Sequence, residues 1–196
     1  MVRTGRPRSF VESEVVDAAT EVFWQHGYAA ASMRRVGERA GLLPGSLQAA
    51  FGDKRSLFLR SLEHYAQRQR AFGASLQEPG PVLPRLRSAL QEIAAAASSD
   101  HPRGCMLGNT ATELSDDPTA TAIVRDAFAE LERSIAEALG RAQQEGEVVR
   151  AVDPDGSARM LVALMQGLHV LARVTAEPAP LRAAVDAALA PLSAHT

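Results

Sequence analysis

Cysteine and lysine are nearly missing from this chain: among 196 residues, Cys105 and Lys54 are the sole representatives. One thiol excludes an internal disulfide and fits a reducing compartment, so a cytoplasmic location is expected. Twenty arginines beside the one lysine, with abundant alanine, point to a GC-rich genome rather than to a functional choice. No apolar run reaches about 18 residues, so neither a membrane span nor a membrane partner is predicted. The basic stretch from Met1 to Phe10 lacks the apolar core of a signal peptide. Valine and isoleucine are scattered, and no alternating run is closed by hairpin turns, which argues against a sheet. Also missing are the His, Cys and carboxylate spacings of a metal site, a nucleophile elbow and a phosphate loop. No metal, cofactor or catalytic residue is therefore expected, and a small helical enzyme has no support.

What the chain has in quantity is helix. Apolar residues make up 46% and charged residues 22%, ordinary for a globular protein. The pattern predicts an all-α chain of about nine helices. The first, from about Ser9 to His26, carries Val15, Ala18, Ala19, Val22 and Phe23 on one face and stops at Gly27. The second starts behind Ser32, a good N-cap, and ends at Gly41. The third starts near Pro44 and reaches Phe51, with Leu47 and Phe51 one turn apart. Asp53 caps a fourth helix over about Lys54 to Leu76, and Glu78-Pro79-Gly80-Pro81 then breaks the pattern. Further helices are expected over Val82 to Ala97, Met106 to Leu114, Pro118 to Glu145, Pro154 to Thr175 and Leu181 to Leu192. Pro178 and Pro180 are taken as the break before the last of them. This divides into an N-terminal three-helix helix-turn-helix domain, residues 1–54 with the motif at 32–51, and a C-terminal helical domain, 55–196, for ligand binding and dimerisation.

The net charge of −2 hides an asymmetry: residues 1–60 carry +3 and the remainder −5. A small basic head on an acidic body is what a DNA-binding module needs. Between Ser32 and Phe51, two short helices flank Ala40-Gly41, small residues that allow a close crossing. Burying Leu47 and Phe51 leaves Leu43, Gly45, Ser46, Gln48 and Ala49 facing outward, where a recognition helix meets base edges. Gln48 has the amide that reads adenine. Ser32, Arg34 and Arg35 open the second helix as candidate DNA contacts, the arginines on phosphates. Arg6 and Arg8, in Gly5-Arg6-Pro7-Arg8, have two readings: an arm in a narrow minor groove, or a solvated tail.

The run Ala18-Ala-Thr-Glu-Val-Phe-Trp-Gln-His-Gly-Tyr28 resembles the first helix of the tetracycline-repressor (TetR) family of bacterial transcriptional regulators. Ser46-Leu47, then Ala50-Phe51-Gly-Asp-Lys54-Arg-Ser-Leu57-Phe, is similar to that family's recognition helix and the start of its fourth helix. The resemblance implies a repressor on double-stranded operator DNA, with Lys54 clamping a phosphate at a helix N-terminus. One departure stands out: the family's Tyr after the Leu of the recognition helix is Gln48 here, so operator preference is expected to be unusual.

The helix after Pro154 is apolar nearly all round and must be covered on most sides. Ala163 and Gly167, four apart, allow close helix approach. A two-fold homodimer interface is expected from Leu161, Leu164, Leu168, Leu171, Val185 and Leu189, which predicts a palindromic operator. An effector pocket for an unknown small molecule is drawn from Cys105, Met106, Asn109, Thr110, Glu113, Phe128, Met165 and His169. For Asn109 and His169 the alternative is that they only satisfy buried hydrogen bonds. Cys105 has two readings, a buried inert thiol or a sensor of electrophiles and oxidants. The competing function is an architectural DNA-binding protein without an effector, which the acidic body disfavours.

Overall fold

The computed structural model describes residues 10–100 and 102–194. The helices are α1 (Glu12–Ala30), α2 (Met33–Ala40), α3 (Pro44–Phe51), α4 (Lys54–Ser75), α5 (Leu83–Ala95), α6 (Met106–Glu113), α7 (Pro118–Gln144), α8 (Pro154–Leu171) and α9 (Pro178–Leu189). Short 3-10 turns follow α5 and α9. No strand occurs among the described residues, where Val148 and Ser193 form one isolated antiparallel bridge. None of the described helices is long and apolar enough to cross a membrane.

Local chemistry sets most boundaries. Ser32 accepts the Arg35 N–H through its hydroxyl at 3.2 Å, and Asp53 accepts the Ser56 N–H at 2.7 Å. Asp117 and Asp153 cap α7 and α8 by accepting two backbone N–H groups each. Such caps satisfy donors that a helix start leaves unpaired. Two ends differ from expectation. Gly27, at φ 75° and ψ 172°, leaves the helical path, yet one more turn continues to Ala30. Pro178 begins α9 instead of stopping its predecessor, because a first-turn proline lacks only an N–H that has no helical partner.

The chain forms two compact units that meet at Tyr65–Ala66, inside α4. The first unit therefore takes in the opening half of α4. Leu57 and Leu62 are completely buried, along with Ala19, Val36 and Leu47. Phe58 sets its edge against Phe23 at 5.1 Å and Tyr28 at 4.9 Å. At the turn of the motif, the Leu42 N–H donates to the Gly37 carbonyl at 2.9 Å. Gly41 sits there in the left-handed region, φ 66°.

In the second unit, α5, α7, α8 and α9 enclose a core that includes Leu86, Leu90, Ile135, Leu139, Leu161 and Val185. Its assembly relies on one distant cap. Both carboxylate oxygens of Glu147 accept from the start of α5, Val82 N–H and Leu83 N–H, each at 2.8 Å. That helix has no side-chain cap at its own N-cap position.

A Cβ added at Gly37 would lie 2.5 Å from the Leu42 carbonyl oxygen, a backbone atom that cannot swing aside. Gly37→Ala should destabilise the first unit by roughly 1–3 kcal/mol despite alanine's better helix propensity. Gly140→Ala, where nothing lies within 4 Å, should be neutral or stabilising. Urea unfolding of the two variants beside the parent checks both.

Candidate nucleic-acid interface

Helix α3 is held from beneath by Leu47 and Phe51, 0% and 4% exposed. Helical geometry then turns Gly45, Ser46, Gln48 and Ala49 outward, and all four are exposed. Leu43 lies one turn before Leu47 and would share its buried face if it were helical. Its backbone is extended instead, φ −69° and ψ 144°, and the side chain is 77% exposed. The helix Pro-Gly-Ser-Leu-Gln-Ala-Ala-Phe bears no charge. A Cβ at Gly45 would meet nothing within 4 Å. A glycine inside a helix costs about 0.5–1 kcal/mol relative to alanine, and no neighbour among the described residues accounts for that cost here.

The cations around α3 have intramolecular partners. Arg34 pairs with Glu38 one turn on, at 3.4 Å, both side chains exposed. Arg35 Nη1 lies 3.3 Å from His26 Nδ1. Lys54 Nζ donates to the Ala29 carbonyl at 3.1 Å and sits 4.6 Å from the centroid of the Tyr28 ring. Exposed contacts of this kind are worth little, so a phosphate can recruit these side chains. They nevertheless hold the charges at the starts of α2 and α4, off α3 itself. Ser32 spends its hydroxyl on the cap of α2. The Ser56 N–H and hydroxyl hold the Asp53 carboxyl below its usual range and fix the start of α4. Arg60–Glu12 and His64–Asp17, the latter at 2.7 Å, join α4 to α1. Arg6 and Arg8 lie outside the described residues. Sequence reasoning did not single out His26 and Glu38 as partners, since only the fold or the helix register brings them to the arginines.

The C-terminal candidates divide. Leu161, Leu168, Val185 and Leu189 are each at most 1% exposed and belong to the subunit's own core. They are corrected out of the expected partner surface, because α8 and α9 turn those faces inward against α5 and α7. Leu164 is partly buried against the same core, and Leu171 is 50% exposed. The outward face of α8 presents Met160, Ala163, Gly167, Val170 and Val174 just beyond its end. Nothing lies within 4 Å of a Cβ at Gly167.

Of the pocket candidates, Cys105, Met106 and Thr110 are buried, and Met165 is 8% exposed. Phe128 packs partly buried on the core. Thr110 donates its hydroxyl to the Met106 carbonyl. Asn109 donates to the Arg103 carbonyl and accepts from Arg173, so its amide is used at both ends. Glu113 ends α6 exposed to solvent, which removes it from any buried lining. Burial pushes the His169 pKa down to about 4, leaving a neutral imidazole. Gln69 was not foreseen, since one polar residue among many on α4 carries no sequence signal. Its Nε2 lies 3.7 Å from Cys105 Sγ, and its buried Oε1 has no hydrogen-bond partner among the described residues.

Two family models match the chain: "Bacterial regulatory proteins, tetR family" over residues 15–60, and "Tetracyclin repressor-like, C-terminal domain" over residues 82–188. The HTH-type transcriptional repressor ComR of Escherichia coli K12 is 33% identical over 176 residues, which cover 86% of this chain and 82% of that protein. The regulator YezE of Bacillus subtilis 168 is 31% identical over 193 residues, 96% of this chain and 99% of that protein. Among solved structures, a cysteine mutant of the TetR family regulator CifR, complexed with 26-bp double-strand operator DNA, superposes with a TM-score of 0.79. It shares 29% identity and is matched over 96% of this chain and 100% of that one. The chain belongs to the TetR family and is a DNA-binding transcriptional regulator of the helix-turn-helix type, not an enzyme.

Proposed function

We propose that this regulator is a cytoplasmic repressor that holds a palindromic operator as a homodimer and releases it when a small molecule binds the C-terminal domain. The observation that carries the reading is the anchored, outward-facing, charge-free α3 with its open Gly45. In this reading residues 1–54 supply the DNA contacts, with Leu43, Gly45, Ser46, Gln48 and Ala49 at base edges and Ser32, Arg34, Arg35 and Lys54 at the backbone.

The homodimer reading rests on the second unsupported glycine. Gly167 lies among Met160, Ala163, Val170 and Leu171 on the exposed face of α8, where a second α8 can approach closely. The effector reading rests on Gln69, whose unpartnered buried acceptor suits a ligand N–H or O–H, with Cys105 beside it. Cys105 is 2% exposed, which favours the ligand over direct attack on the thiol by an electrophile.

Three outcomes follow. Gly45→Ala should leave the fold as stable or more so, by up to about 1 kcal/mol, and weaken operator binding in fluorescence anisotropy. Unchanged affinity would remove α3 from the DNA face. Gly167→Arg should sediment as a monomer where the parent sediments as a dimer, and lose operator affinity with its fold intact; a monomeric parent at micromolar concentration would end the dimer reading. His169 stays neutral in the folded chain to about pH 4, against 6.5 when unfolded. Its stabilising contribution is thus present above pH 6.5 and lost as the pH falls towards 4. His169→Gln should reduce the pH dependence of urea unfolding in that window by about one proton.

A further inference from the structure

We infer that the contacted core of each half-site consists of A·T pairs, read by Gln48 through adenine and by Leu43 through the methyl group of thymine. The inference rests on the operator reading above and adds to it the base class. In the major groove, guanine is read chiefly by Arg or Lys on O6 and N7, and cytosine by Asp or Glu on its N4 amine. Helix α3 has none of these four residue types. The cations near α3 sit on other elements and have other partners: Arg60 stacks on the inward-facing Phe51 ring and pairs with Glu12, Arg34 pairs with Glu38, Arg35 with His26, and Lys54 with the Ala29 carbonyl. What α3 and its cap do offer is the Gln48 amide, matched to adenine N6 and N7, two apolar groups, Leu43 and Ala49, and the Ser46 hydroxyl, which serves either kind of pair and so does not favour G·C.

Leu43 carries the stronger part of the argument. It is an exposed leucine, 77% accessible, at the N-cap of a helix whose N-terminal turn faces base edges. The cap position favours Ser, Thr, Asp or Asn, and Leu43 makes no cap hydrogen bond. The residue therefore gives up helix stability and exposes apolar surface, and no side-chain bond among the described residues offsets this. A thymine methyl is the one apolar group that the major groove presents.

The test starts with full-length protein and a random duplex pool at fixed salt. Enrichment of A·T pairs at the protected major-groove positions is expected. Enrichment of G·C pairs there would overturn the base-class inference and leave operator binding standing; no enriched sequence at all would overturn the operator reading itself. On the selected duplex, each thymine is then replaced by uracil, which deletes only the methyl group. One position per half-site should lose about fourfold in affinity with the parent protein. Leu43→Ser, which restores a good cap and so keeps the fold, should bind thymine and uracil duplexes alike. A uracil penalty that persists in Leu43→Ser, or that appears nowhere with the parent, would overturn the role of Leu43. Gln48→Ala should cost roughly 5- to 140-fold on the selected duplex and relax preference at one adenine.

Discussion

The N-terminal unit depends on one backbone contact. The Leu42 N–H reaches the Gly37 carbonyl at 2.9 Å, and the Leu42 carbonyl oxygen lies where a Cβ on residue 37 would stand. With a side chain at position 37, or without a left-handed residue at Gly41, α3 could not turn so closely off α2. That turn fixes which side of α3 is buried. Leu47 and Phe51 then face inward, and the exposed side is what remains for DNA. The rest of the unit supports this arrangement: the aromatic group of Phe23, Tyr28 and Phe58, and the links from α4 to α1.

Electrostatics divide the labour between the helices of this unit. Positive charge sits at the starts of α2 and α4 through Arg34, Arg35 and Lys54, while α3 is neutral. Phosphate contacts position a protein on the duplex and base contacts specify sequence. In the proposed operator complex, a neutral α3 framed by cations keeps the two tasks on separate residues. The weak internal partners of those cations, an acid, an imidazole and a carbonyl, hold them extended along the surface at little cost to exchange.

The C-terminal unit shows the same logic in its glycines. A Cβ on Gly108 would lie 2.5 Å from Gln166 Oε1, so a larger residue there would make the Gln166 side chain swing aside. Gly167, one residue further along α8 than Gln166, has nothing within 4 Å. Two glycines at the same level of the unit thus answer to different surroundings, one inside the subunit and one outside it. Gln69, Cys105 and the neutral His169 lie among the inward-facing groups, and there one acceptor remains unpaired.

Much of the fold was legible because its signals are local. Ser32, Asp53 and Gly41 mark helix ends through their own side chains or backbone, and Leu47 and Phe51 declare a buried face by being one turn apart. The TetR resemblance followed from residues within the same short stretch. Facing on α8 was not legible: its apolar residues occupy nearly every angle, so periodicity cannot separate core from outer surface. Only packing against α5 and α7 decided that Leu161 and Leu168 belong to the core while Met160 and Val170 stay outside. The partners of Arg35 and Lys54 come from α1, and the cap of α5 comes from Glu147, more than sixty residues away. Such pairings depend on where the chain returns in space. The sequence alone therefore determined the helices and the recognition motif, and the tertiary structure decided which faces were left over to meet DNA or another chain.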